Sequence, residues 1–272
     1  MKGAVDIQVQ RSDYRGGGEA QTRMVPVEAP IAIEINGIAY AVMMATPCDI
    51  EDFVTGFLLG EGLAEPDEIG AVTTHSTGTA EWGEGMVARV NLPPTRAEPI
   101  MQRARRRLGD SSCGICGIES IELALRPLPK IARRSTVTPG AIKAALDELA
   151  SRQPLGTATA ASHAAAFCDE LGTIIAVRED VGRHNALDKL IGALARAGQD
   201  AAQGFIVMTS RCSYELVEKA ARAGCSLLVT ISAPTDLAVR RAKGAGLALA
   251  VVARDDTMLW VTSDLAELCN GL

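Results

Sequence analysis

The run Ser-Ser-Cys-Gly-Ile-Cys-Gly at residues 111–117 places two thiols, Cys113 and Cys116, three positions apart between glycines. Only the thiolate attacks electrophiles, and nearby positive charge raises the thiolate fraction at neutral pH. Arg103, Arg105, Arg106 and Arg107 lie just upstream. Gly114 and Gly117 admit backbone conformations closed to other residues and let a bulky partner approach sulfur. Such a pair serves disulfide exchange, half of a zinc site, or carriage of a persulfide sulfur. The spacing does not choose among these, and an incidental or structural pair is a further reading.

A second concentration of polar side chains is Arg178-Glu179-Asp180-Val181-Gly182-Arg183-His184-Asn185. It follows the apolar run Ile174 to Val177 and precedes a helical pattern that begins near Ala186. In α/β sheets, ligands bind in the crevice beyond the carboxyl ends of strands, where a helix N-terminus offers free N–H groups and a partial positive charge to phosphate. Arg178 and Arg183 could add forked donors. The plainer alternative is that Asn185 caps the helix while Arg178, Glu179 and Asp180 pair with one another. His163, at the start of the apolar Ala164–Phe167 run, reads as a hydrogen-bonded core histidine or a crevice residue. Hydroxyl-bearing turns at Ser210-Arg211-Cys212-Ser213 and Ser232-Ala233-Pro234-Thr235-Asp236 look alike, and each suits either N-capping or a shared polar crevice.

Elements must bring these residues together. Residues 1–24 are polar and rich in glycine and read as a flexible lead-in. Ile31 to Val42 alternates around Asn36-Gly37, a hairpin signal. Asp49 is a plausible cap for a helix carrying Ile50, Phe53, Phe57 and Leu58, ended by Gly60 and Gly62. Met86 to Asn91 suits a strand, and Met101 to Leu108 an exposed helix or loop. His75 lies in a Thr-rich stretch without clear pattern. At Thr138-Pro139, a capping residue followed by the residue suited to the first helical position predicts a helix over 140–152. Beyond it, short apolar strands (174–177, 205–208, 227–231, 247–252) alternate with amphipathic helices (187–197, 214–223, 236–243). That pattern predicts an α/β layer structure with a largely parallel sheet. A boundary near 135 divides the chain into a small N-terminal α+β domain at 25–135, carrying the cysteine loop, and a C-terminal α/β domain at 136–272.

With 272 residues, 47% of them hydrophobic, the chain can bury a substantial core. No apolar run follows the opening MKGAVDIQVQ, and the longest apolar stretch, AGLALAVVA, is far short of the ~20 residues that span a bilayer. A soluble cytoplasmic protein is expected, without a membrane partner. The net charge of -6 lacks the basic footprint of a nucleic-acid binder. Seven cysteines, an odd number, suit a reducing compartment. Cys48, Cys168, Cys212, Cys225 and Cys269 read as small buried hydrophobes.

These residues also carry a resemblance. The segments IEINGIAYAVMMATPCDIEDFVTGFLLGEGL, SSCGICGIESIE, SHAAAF, IIAVREDVGRHNALDKLIGAL, SRCSYELVEKAARAG and VTISAPTDLAV occur in the order found in the formate dehydrogenase accessory sulfurtransferases, the FdhD-type proteins. The chain resembles that family from about residue 25 to 240. The resemblance implies a persulfide relay in which a cysteine desulfurase gives sulfur to Cys113, with Cys116 assisting or resolving. The loop then delivers sulfur to the molybdenum cofactor carrying two pterin guanine dinucleotides, bound as substrate, for formate dehydrogenase. Arg178, Asp180, Gly182, Arg183, His184, Asn185, His163, Ser210 and Arg211 would hold the cofactor. A homodimer is also implied, as is a C-terminal domain like that of cytidine deaminases, with three layers. Deaminase chemistry does not follow. It needs His-x-Glu and Pro-Cys-x-x-Cys around zinc, and the chain has His163-Ala164-Ala165 and no second motif, so no zinc is expected.

One segment departs from the family. Where its members usually have Gly-Gly-Arg or Pro-Gly-Arg against the cofactor, this chain has Val252-Ala253-Arg254-Asp255-Asp256-Thr257. Its acidic residues would repel phosphate, and Arg254 is the surviving cation. Two other functions fit the motifs: a chaperone that binds the molybdenum cofactor without handling sulfur, and a dithiol oxidoreductase. The latter commonly has Pro between the cysteines, where this chain has Gly114-Ile115.

Overall fold

A computed structural model describes residues 3–79, 83–96, 100, 126–254 and 256–261. Cys113, Cys116, the arginine run before them, Asp255 and Cys269 lie outside the described residues. The chain opens with two antiparallel strands, β1 (Ala4–Ser12) and β2 (Gly18–Pro26), which form a two-stranded sheet of their own. This corrects the flexible lead-in expected for residues 1–24. The glycines that suggested a loose segment are confined to the hairpin tip, where Asp13 accepts from the backbone N–H groups of Arg15 and Gly17, while β1 itself alternates apolar and polar residues as a strand does.

Next come β3 (Ala29–Ile35), β4 (Ile38–Ala45), α1 (Ile50–Gly60), β5 (Thr73–Thr79) and β6 (Gly83–Val90). Asn36 and Gly37 both have positive φ, 51° and 77°, so the β3–β4 turn is of the primed kind that matches strand twist. The sheet order is β4-β3-β6-β5. Ile31, Ile33 and Ile35 face Phe53, Val54, Phe57 and Leu58 of α1 in one core. Each such side chain contributes about 1.5–3 kcal/mol by leaving water. Asp49 occupies the N-cap position of α1 with φ 53° but makes no side-chain cap bond, unlike the cap expected.

The second half runs α2 (Pro139–Leu149), α3 (Pro154–Thr159), β7 (His163–Asp169), β8 (Ile174–Asp180), α4 (Arg183–Arg196), β9 (Gly204–Met208), α5 (Tyr214–Arg222), β10 (Leu227–Thr230), α6 (Asp236–Ala245), β11 (Ala248–Val251) and β12 (Leu259–Val261). Thr138 caps α2, accepting from the Ala141 N–H at 3.2 Å. The six strands lie in the order β12-β11-β10-β9-β7-β8. Only β9, β10 and β11 are mutually parallel; β7, β8 and β12 pair antiparallel, so the sheet is mixed rather than largely parallel. The strand-helix alternation hid this, because β7 and β8 are joined by the tight turn around Gly172 instead of a helical crossover. Alternate strand residues face α2 on one side and α4, α5 and α6 on the other. Helices α1 and α4 pack against each other between the two large sheets.

Their crossing is set by glycine. A Cβ on Gly56 of α1 would stand 1.7 Å from the Asp188 carbonyl oxygen, and one on Gly192 of α4 would stand 1.9 Å from that of Asp52. The two backbones therefore touch. Asp52 adds a charged link, accepting from Arg178 and from Arg196 of α4.

Candidate functional site

Strand directions converge the polar turns on one edge. β9, β10 and β11 end there; β7, antiparallel to β9, starts there with His163; and β8, antiparallel to β7, ends there with Asp180. Backbone hydrogen bonds lace the turns together. Thr209 donates to the Ala164 carbonyl at 3.0 Å while its hydroxyl accepts from the Ala164 N–H at 2.8 Å. Cys212 N–H donates to Ala233, Thr235 N–H to Cys212, Val252 N–H to Ser232 and Ala253 N–H to Thr230. The turns expected from the sequence to share a polar crevice thus lie hydrogen-bonded together along one sheet edge.

On that edge stand His163, Arg183, His184, Ser213 and Arg211. His184 lies with Nε2 2.8 Å from the Glu215 carboxylate and 3.3 Å from the Ser213 hydroxyl. The imidazole is thereby oriented by the first turn of α5. Arg183 opens α4, and its Nε is buried with no hydrogen-bond partner among the described residues. Arg211 is exposed, and no carboxylate among the described residues is paired with it. A guanidinium without an acid beside a helix N-terminus offers the charge and the N–H donors that an anion would need. His163 feels that charge: burial first, then Arg183, holds its imidazole below the usual histidine range.

Other residues of the Arg178–Asn185 run are committed to the scaffold. Asp180 is fully buried; its carboxylate meets Lys189 Nζ at 2.7 Å and accepts from Thr46 N–H, Gly182 N–H and Asn185 Nδ2. Lys189, also fully buried, donates to the Thr46 carbonyl, and Asn185 to the Met44 carbonyl. This network holds the end of β4 against the start of α4. Glu179 accepts from the Leu155 and Gly156 N–H groups and so caps α3, and Arg178 forks onto Asp52. The mutual pairing of Arg178, Glu179 and Asp180 weighed from sequence does not occur. Neither does capping by Asn185, for Gly182 is the N-cap and Asn185 lies inside the first turn.

Ser210 is buried, its hydroxyl on the Arg211 carbonyl at 3.2 Å. In the segment after β11, Ala253 is buried, Arg254 is exposed with its N–H on Thr257, and Asp256 and Thr257 are exposed. Val252 has φ 53°, a left-handed conformation that costs a β-branched residue strain and suits glycine. The cysteines at 168, 212 and 225 are buried, and burial pushes their thiols up to about 12, about 12 and about 11. They act as small hydrophobes. Cys48 is half-buried, and burial raises its thiol too. Among the described residues no cluster of three metal-ligating side chains occurs, and no helix is long and apolar enough to cross a membrane.

Sequence reasoning missed Glu215 and Lys189. Glu215 reaches His184 across 31 positions, which no local pattern reveals. Lys189 did leave a trace, for it falls four residues after Asn185 on the apolar face of Ala186, Leu190 and Leu194, where a lone amine requires a buried partner.

The sequence model of the FdhD/NarQ family matches residues 26–264. The chain is 49% identical over 244 residues to the sulfur carrier protein FdhD of Xanthomonas campestris pv. campestris (strain B100), covering 89% of this chain and 85% of that one. It is 43% identical over 238 residues to the sulfur carrier protein FdhD of Variovorax paradoxus (strain S110), covering 88% and 84%. A crystal structure from Desulfotalea psychrophila, assigned as a formate dehydrogenase accessory protein, superposes with a TM-score of 0.73 at 22% identity, over 95% of this chain and 96% of that one.

Proposed function

Because this chain belongs to the FdhD/NarQ family, we propose that it carries sulfur for the maturation of formate dehydrogenase. In this reading a cysteine desulfurase places a persulfide on Cys113, Cys116 assists, and sulfur passes to the molybdenum cofactor with two pterin guanine dinucleotides held at the crevice. The thiolate attacks the desulfurase persulfide at its outer sulfur, the S–S bond of the donor breaks, and the donor leaves as thiolate. Cofactor binding then rests on Arg183 and Arg211 for phosphate oxygens and on His163 and His184 beside them. Asp180 and Asn185 act by fixing the start of α4, and Arg178 by tying β8 to α1. The protein works as a cytoplasmic sulfurtransferase and a homodimer.

The observation that carries this reading is Arg183, which opens α4 with a buried Nε that has no hydrogen-bond partner among the described residues, on the sheet edge that also carries His163 and His184. Support for the domain description comes from the strand order β8-β7-β9-β10-β11 with helices on both faces, which suits a cytidine deaminase-like, three-layer α/β fold. Mass spectrometry of the loop peptides after incubation with cysteine and a desulfurase tests the relay. One added sulfur, about 32 Da, is expected on the Cys113 peptide and none in Cys113→Ala. Guanine nucleotide binding without any persulfide would leave a cofactor-binding chaperone instead.

A further inference from the structure

Helices α4 and α5 begin side by side on the sheet edge, and each carries a polar residue at its second position, His184 in α4 and Glu215 in α5. They meet through a single ring atom. His184 Nε2 lies 2.8 Å from the Glu215 carboxylate and 3.3 Å from the Ser213 hydroxyl, and the two side chains keep a small opening to solvent, 21% and 17% exposed. Ser213 is the N-cap of α5, a place where serine ordinarily accepts from a backbone N–H. Here it makes no such cap bond, and the hydroxyl turns to the imidazole instead.

In a neutral imidazole one nitrogen donates and the other accepts, and the partner of the first decides the state of the second. An ionised carboxylate only accepts, so Nε2 facing Glu215 carries the proton and Nδ1 keeps a lone pair. Among the described residues Nδ1 has no hydrogen-bond partner. Nor do the three side chains form a relay that would activate Ser213, for that needs the acid and the hydroxyl on opposite ring nitrogens. The lone pair must therefore find its donor in water or in a ligand. Ligand chemistry then divides. Phosphate oxygens accept, which suits the guanidinium donors of Arg183 and Arg211 and not a lone pair, whereas the N–H groups of a purine base and the hydroxyls of a ribose donate.

We propose that His184 is a specificity-determining residue, whose Nδ1 accepts a hydrogen bond from an N–H or O–H of the nucleoside part of the ligand, and that Glu215 is the positioning residue that keeps the proton on Nε2. The inference rests on the crevice holding a guanine nucleotide arm, as proposed above, and adds which kind of ligand atom is read and by what. A site built to hydrogen-bond a ligand group rejects the analogue lacking it, because its own polar atom is then left unpaired. Glu215 acts through the ring alone. Its nearest cation along α5, Lys219, is held by Asp188 at 2.8 Å and lies 3.6 Å from Glu61, which leaves the Glu215 carboxylate to His184.

Histidine-selective nitrogen-15 NMR on the full chain and calorimetry with nucleotides test it, both at about pH 8, above the ordinary histidine range. The chain has three histidines, so His184→Ala assigns the ring. In the wild type the His184 proton is expected on Nε2, and the bare Nδ1 resonance should move when GDP is added. GDP should bind about 3- to 10-fold more tightly than the analogue that lacks the donor: IDP if the 2-amino group donates, 2′-deoxy-GDP if the ribose hydroxyl does, ADP but not IDP if the ring N–H does. His184→Ala should bring that ratio close to one. Glu215→Gln, whose amide oxygen can accept the same proton, should keep the preference, and Glu215→Leu should lose it. The wild-type spectrum is independent of how any variant folds. A proton found on Nδ1, an Nδ1 resonance indifferent to bound GDP, equal binding of all four nucleotides, or a preference that survives His184→Ala would overturn this inference alone. A wild type that binds none of them would overturn the crevice reading as well.

Discussion

Burial and the Arg183 charge together hold the proton off His163, so an anion proposed to sit on Arg183 would be linked to that proton. His163 is held below its ordinary value in the folded chain, so the neutral ring's contribution to stability is present above about pH 6.5 and is lost as pH falls through the folded value. An anion on Arg183 cancels part of the repulsion that lowers it. Binding of GDP should therefore take up a proton and strengthen as pH falls from 7 toward 5.5. Calorimetry in buffers of different ionisation enthalpy measures the uptake; His163→Gln should abolish it, and Arg183→Gln should abolish binding. Lys189 sits at the opposite extreme, inside the scaffold. Lys189→Met leaves the Asp180 carboxylate buried beside no cation, and loss of one partner of such a pair costs about 3–5 kcal/mol. The variant should melt well below the wild type, and adding Asp180→Asn should return part of the loss. At this scale the sequence marked the right segment but mixed two jobs. Polar residues at 178–185 could be read as facing a ligand or as pairing and capping among themselves, since burial depends on what packs over them, and Met44 and Thr46 lie more than 130 positions away.

Among the elements, the periodic ones were legible and the paired ones less so. Helices α2, α4, α5 and α6 and strands β9, β10 and β11 follow from apolar spacing and from Thr138-Pro139, within a few residues of their observed ends. The directions of β7 and β8 did not follow, because the apolar pattern of a strand is the same whichever way it runs, and the three-residue edge strand β12 was not read at all. The β1–β2 ribbon was obscured by its glycine-rich tip. Val252 carries a prediction of its own. Holding a β-branched residue at positive φ costs about 1–2 kcal/mol, whereas glycine at 252 would relieve it and lose about 0.5–1 kcal/mol through unfolded-state entropy. Val252→Gly should thus leave the melting temperature unchanged or slightly raised while freeing the backbone at the crevice rim. A large destabilisation would mean that the Val252 side chain, rather than its backbone, holds the segment.

Across the whole molecule, the α1–α4 crossing decides whether the two sheets unfold together. The N-terminal sheet reaches the C-terminal one through α1, the buried Asp180–Lys189–Thr46 network and the Asp52 ion pairs, all within one continuous contact. A residue boundary near 135 marks a change of texture in sequence, but texture says nothing of how tightly the halves join. Gly56 and Gly192 could not be singled out from the sequence either, since a helix glycine reads as a weak point until a second backbone is seen against it. With backbone on both sides, no rotamer change can make room for a methyl group. Gly192→Ala must therefore part the helices, at a cost at or above the ~1–3 kcal/mol typical of overpacking, and it would loosen every polar contact that depends on their spacing. Wild-type chain should unfold in urea as one transition, with far-UV dichroism and the fluorescence of Trp260, in the C-terminal sheet, coinciding. In Gly192→Ala the dichroism should begin to fall at lower urea than a fluorescence change reporting that sheet, with Trp82 replaced by Phe to isolate the signal. Coincident curves with only a shifted midpoint would mean that the two sheets stay coupled through the ionic and hydrogen-bonded links alone.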